Sequence, residues 1–201
     1  MSLSDQTLSI ADFRRLGAFE LYHEAEVKAF VAGKDIAADA AAQEEISDDL
    51  CFRLGDMFAS PTKFPRLLWL ARRPGLLPEQ LVRQFAFEVA SECLNRLSKE
   101  GVLSDIRLTA GIAAVKAHLK GERHVRSLEP LHRAAVQARL DHQEHACERA
   151  SDGCHAVEAA LDPSAYEAAA ETAYAFLGLF DDTESEAWIR TCLRELIQNA
   201  D

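Results

Sequence analysis

PEQLVRQFAFEVASECLNRLSKEGVLSDIRLTAGIAAVKAHLKG, residues 78–121, is the stretch whose reading decides the fold. Its apolar residues recur at helical spacing. Leu81, Phe85, Val89 and Cys93 stand four apart, with Val82, Ala86, Ala90, Leu94 and Leu97 beside them, so one wide stripe of a helix is apolar. Leu108, Ile112, Val115 and Leu119 repeat the pattern, while Ala110, Gly111, Ala113, Ala114 and Ala117 are small enough to let another helix come close. Two amphipathic helices are predicted, Pro78 to about Lys99 and about Asp105 to Lys120, with Gly101 and Ser104 in the turn between. Pro78 suits the first helical position, and Gly121 a helix end. The stretch reads as a core hairpin and carries no catalytic motif.

Working outward toward the N-terminus, Ser9 followed by Asp12 is a capping signal, and the apolar pattern from Phe13 to Val31 extends a helix, or two, up to Gly33. An alanine-rich acidic element follows from Asp35 through Ile46, Leu50, Leu54 and Phe58, and Ser60-Pro61 stops it. A short dense helix is expected over Thr62–Arg73. Toward the C-terminus, Ser127-Leu128-Glu129-Pro130 opens a long helix reaching Leu161, with Gly153 as a bend. Asp162-Pro163 restarts the chain, an acid to cap and a proline to lead, and Thr183-Glu184-Ser185-Glu186 has capping-box spacing before Trp188, Ile189, Cys192, Leu193, Leu196 and Ile197. No alternating five-residue run suggests a strand. The expected fold is all-α: one domain over 1–201, a largely antiparallel bundle of roughly seven to nine helices with no sheet. Its parts are N-terminal helices over 1–76, the hairpin over 77–121 and alanine-rich acidic helices over 122–201.

A chain of 201 residues, 48% hydrophobic, has the material for a real core, since about 70% of the unfolded surface can be buried at this size. No run approaches the ~18 apolar residues of a membrane span, and the N-terminus does not read as a signal peptide, so a cytoplasmic protein with no membrane partner is expected. Five cysteines, Cys51, Cys93, Cys147, Cys154 and Cys192, are odd in number and spread through apolar patterns, which reads as reduced thiols. The net charge of −11 is unevenly laid out. Residues 1–52 carry 4 basic and 11 acidic side chains (−7), 53–140 carry 15 and 8 (+7), and 141–201 carry 3 and 14 (−11). The ordinary reading is a solvating surface; the sharper one is a negative face for a basic partner, through Asp48, Asp49, Asp181, Asp182, Glu184 and Glu186.

The densest set of chemistry-bearing residues is Asp141, His142, Glu144, His145, Cys147, Glu148, Cys154 and His155. On a continuous helix Asp141, His145 and Glu148 share a face through steps of four and three, which makes them the candidate ligands of a carboxylate and imidazole metal site. That is the alternative reading, a metal-dependent helical enzyme. The strict patterns are missing, with no His-Glu-x-x-His, no Cys-x-x-Cys, no Gly-x-Ser-x-Gly elbow and no phosphate-binding glycine loop. A polar helix face is the preferred reading, with no metal, cofactor or catalytic residue expected. Lys63, Arg66, Arg72, Arg73 and Arg83 surround Phe64 and Trp69 and could touch nucleic acid, but the acidity of the whole chain opposes a polyanion. Ion pairs within the fold are the expected role, and nucleic acid is not an expected partner.

Three runs resemble a group of alanine-rich, all-helical bacterial proteins that includes immunity proteins of toxin systems. They are Leu77-Pro78-Glu79-Gln80-Leu81-Val82-Arg83-Gln84-Phe85-Ala86, Glu88-Val89-Ala90, and Asp105-Ile106-Arg107 leading through Ala113-Ala114-Val115 to Lys120-Gly121-Glu122. Val89 stands where that group often has cysteine, and Ser91-Glu92 where an arginine often follows. The resemblance implies an all-helical protein with no catalytic residues. It also implies a stoichiometric role, in which an acidic helical surface covers the basic groove of a toxin domain. A self-associating bundle is the further expectation for partners.

Overall fold

The computed structural model describes residues 3–16, 51–55, 73, 75–180 and 183–200. They fall into two compact units, one of residues 1–77 with 193–201 and one of residues 78–192. The chain is all-α with a packed helical core, seven α-helices among the described residues. None of these helices is long and apolar enough to cross a membrane.

In the first unit a 3-10 turn over Leu3–Asp5 leads into β1, Thr7–Ser9, and α1, Ile10–Arg15. The Ser9 and Asp12 signal forms a reciprocal cap: the Asp12 N–H donates to Ser9 Oγ at 3.2 Å and the Ser9 N–H to the Asp12 carboxylate at 2.8 Å. This starts α1 and buries Ile10 and Phe13 completely. Cys51–Arg53, expected within a helix, is instead a short strand, β2, antiparallel to β1 with Thr7 opposite Arg53 and Ser9 opposite Cys51. The Leu54 N–H extends the ladder to the Gln6 carbonyl at 2.8 Å. Three-residue strands held by backbone bonds leave no alternation to read, which is why the sequence does not reveal them. α1 closes at Leu16; the rest of the expected helix to Gly33, the start of the alanine-rich element from Asp35 and the short helix before Arg73 lie outside the described residues.

The second unit holds α2 (Glu79–Lys99), α3 (Ile106–Leu119), a 3-10 turn (Val125–Leu128), α4 (Glu129–Glu144), α5 (Glu148–Ala160), α6 (Ala165–Leu179) and α7 (Thr183–Gln198) up to Cys192. The stripe read from α2 is its buried face: Val82, Phe85, Ala86, Val89, Ala90, Cys93 and Leu97 are all but inaccessible. That face packs mainly on α6 and α5 and only secondarily on α3, so the two predicted helices are not each other's chief partner. α5 also lies against α3, α4 and α6. Its residues explain this centrality: Ala150, Gly153, Cys154, Ala156, Val157, Ala159 and Ala160 are buried and, valine apart, small. Gly153 is no bend. It sits mid-helix where a Cβ would lie 2.3 Å from Leu97 Cδ1 and 2.9 Å from Leu103 Cδ2, so the missing side chain is what lets α5 close on α2. On α3, Gly111 does the same against Leu161 and Val157, and Ala114 is buried, whereas Ala110 and Ala113 face outward.

Helix boundaries follow local chemistry. Pro78 is the N-cap of α2, not its first residue, and Asp105 caps α3 by accepting from the Arg107 N–H. α6 starts two residues later than Asp162-Pro163 suggests. Ser164 caps it, accepting from the Glu167 N–H at 3.3 Å, while Asp162 accepts from the Ser164 N–H at 2.7 Å. α7 begins at Thr183 itself. Arg96 ties α7 and α6 to α2. Its guanidinium lies 5.1 Å from the Phe176 ring centre, 5.3 Å from Phe180 and 5.9 Å from Trp188, and it donates to Glu92 and Ser185 at 2.8 Å.

Candidate functional site

The long helix expected across residues 129–161 is two helices, and the break falls inside the candidate metal cluster. The Ala146 N–H donates to the Gln143 carbonyl at 3.0 Å and the Cys147 N–H to the His142 carbonyl at 2.9 Å, with Ala146 at φ 53°. This is the Schellman ending, built here on alanine. Asp141 and His145 therefore end α4, while Glu148 begins α5. The face that would have joined the three does not exist. Asp141 accepts from Arg107 at 2.6 Å and from Gln137 at 2.8 Å, and His145 Nδ1 lies 2.6 Å from the Asp141 carbonyl. Among the described residues no three His, Cys, Asp or Glu side chains converge on a point that could hold a metal ion.

Arg107 is where these acids are spent. It reaches Asp105 at 2.6 Å and Asp141 at 2.6 Å, bridging the start of α3 to the end of α4. Its hydrogen bond holds the Asp105 carboxyl below the usual range, and hydrogen bonds from Gln137 and then Arg107 do the same for Asp141. The Arg107 guanidinium is correspondingly harder to deprotonate.

Of the acids expected to meet a partner, Asp48, Asp49, Asp181 and Asp182 lie outside the described residues. Glu184 is exposed at the start of α7, and Glu186 accepts from Arg190 at 3.0 Å. Glu144, Glu148, Asp152, Glu167, Glu171 and Glu195 are exposed as well. Among the described residues of 141–200 the exposed base is Arg149, which pairs with Glu100 at 2.9 Å. On α4, Arg139 holds Glu158 at 2.7 Å. The outer surface of these helices is therefore negative. Of the basic stretch beginning at Lys63, only Arg73 and Arg83 fall within the described residues.

Arg83, read from sequence as a nucleic-acid contact or ion-pair partner, is 2% exposed. Its Nη atoms donate to the Asp162 carbonyl and, at 2.6 Å, to the Pro163 carbonyl, clamping the α5–α6 turn onto α2; Nε has no partner. Burial is the main influence lowering its pKa, opposed by Glu79 and Asp162. Arg83 borders a cleft of about 380 Å³ between the start of α2 and the end of α3, lined also by Glu79, Gln80, His118, Leu119 and Gly121. The periodicity of residues 78–121 does not reveal it, because it is formed by helix ends. Lys116, Lys120, Arg123 and Arg126, close by in sequence, are exposed and are not among its lining residues. No family model, curated protein or solved structure matches this chain.

Proposed function

We propose that this protein is non-catalytic and works by protein–protein contact, through the negative outer surface of its C-terminal helices, on a basic partner. The supporting observation is the distribution of charge over residues 141–200. Acids face solvent on α5, α6 and α7, while the bases among them are tied into ion pairs or outnumbered. Such a surface favours fast, electrostatically steered association with a positive groove. The resemblance of residues 77–122 to immunity proteins of toxin systems suggests the substrate groove of a toxin domain as that partner.

The test is affinity capture from extracts of the native host, using the wild-type chain and a variant with Glu167→Gln, Glu171→Gln and Glu184→Gln. A basic protein held by the wild type and released by the variant is the expected result. Capture of the same species by both, or of no basic species at all, refutes the reading.

A further inference from the structure

We propose that the outer face of α3 docks the outer face of α6 from a second copy of this chain, so that the protein binds itself head to tail. Two exposed seams carry this. On α3, Ile106, Ala110, Ala113, Ala117 and Lys120 follow at steps of four, three, four and three, with Lys116 beside them. Ala117 is half-buried and the others face solvent, Ile106 with 85% of its surface open. On α6, Glu167, Glu171, Tyr174 and Gly178 follow at steps of four, three and four, and all are exposed. Steps of four and three are the spacing by which one helix lies along another. The opposite faces are the ones packed inward, through Leu108, Gly111 and Val115 on α3 and Ala168, Thr172 and Phe176 on α6. Among the described residues Ile106, Leu140 and Tyr174 are the large apolar side chains left exposed, and two of these three stand on the seams.

A second copy fits because the seams match each other level by level when the helices run antiparallel. With about 1.5 Å of rise per residue in both, Ile106 lies level with Gly178, Ala110 with Tyr174, Ala113 with Glu171 and Ala117 with Glu167. Each bulky residue thus meets a small one. A Cβ at Gly178 would touch nothing within 4 Å, which leaves room for Ile106, and Ala110 leaves room for the Tyr174 ring. At the other end Lys116 and Lys120 bracket the level of Glu167, and Glu171 is within one turn of Lys116. A parallel arrangement would set Ile106 against the glutamates and the lysines against Tyr174 and Gly178, so size and charge select the same orientation. One helix on one helix over about three turns is small beside a standard interface, and the association is therefore weak and concentration-dependent. Each copy carries one seam of each kind, so the contact propagates or closes into a ring. This deepens the reading above by naming a basic partner for α6, and it rests on the same exposed acids.

Analytical ultracentrifugation of the purified full chain, from about 10 μM to about 1 mM protein at roughly 0.05 M salt, reads the contact directly. The average mass is expected to rise with concentration above that of one chain. Lys116→Glu with Lys120→Glu, and separately Glu167→Lys with Glu171→Lys, each weaken self-association roughly tenfold or more. Mixed one to one, the two reversed proteins regain opposite charges across the seams and associate about as tightly as the wild type. Recovery in the mixture also shows that both variants are folded. A wild type that stays monomeric at every concentration overturns the proposal, as does unchanged self-association of either reversed variant, or a mixture that stays monomeric. Because the measurement uses purified protein alone, a monomeric wild type leaves capture of a different basic protein standing, and failed capture leaves the self-contact standing.

Discussion

Two glycines on helices give opposite forecasts. At Gly153 a methyl group would meet Leu97 Cδ1 and Leu103 Cδ2, both core side chains, so Gly153→Ala is expected to cost about 1–3 kcal/mol in urea denaturation. At Gly178 on α6 a Cβ meets nothing within 4 Å, so Gly178→Ala is expected to stabilise by about 0.5–1 kcal/mol. Ala146 reverses the logic. Its φ of 53° is costly for a side-chain-bearing residue, and Ala146→Gly is expected to raise stability by roughly 0.5–1 kcal/mol in the same assay. The Arg107 bridge sets a pH dependence. Asp105 and Asp141 have folded pKa values below their unfolded ones. Their contribution is complete above the unfolded value near 4 and is lost as pH falls through the folded values. Denaturation between about pH 2 and 6 should show this decline, and Arg107→Met should flatten it.

Among the elements, α2 is the one whose reading carried furthest. Its apolar period, its Asp105-capped successor and the Gly101 and Gly121 endings are all visible in the residue string, because each rests on a side chain only that position can use. Gly101 and Gly121, at φ 72° and 75°, close α2 and α3 with the same pair of carbonyl bonds that Ala146 makes for α4. With alanine at that place the α4 ending is silent in sequence, and a false continuous helix put Asp141, His145 and Glu148 on one face. The cleft beside Arg83 was hidden for a different reason. It joins two helix ends, and helical periodicity reports sides. Side-chain pairing across elements was equally unreadable: Arg96 donates to Ser185 and lies over three aromatic rings far along the chain. Arg96→Lys keeps the charge but loses the flat guanidinium, and is expected to cost about 1–2 kcal/mol and to shift the Trp188 emission.

For the molecule as a whole, the excess of 33 acidic over 22 basic side chains sets the conditions under which any partner is met. Association through the negative helices should fade between about 0.1 and 1 M salt, as the screening length falls from roughly 10 to 3 Å. A slower property is fixed by the cysteines. Cys93 on α2 and Cys154 on α5 are fully buried, and burial pushes both thiols up to about 12, while Cys147 stands exposed at the start of α5. An alkylating reagent should consume the exposed Cys147 and Cys51 promptly and reach Cys93 and Cys154 only when the helices part. The polypeptide thus carries its own clock: the delay between the first adduct and the later ones, read by mass spectrometry, times the breathing of its interior.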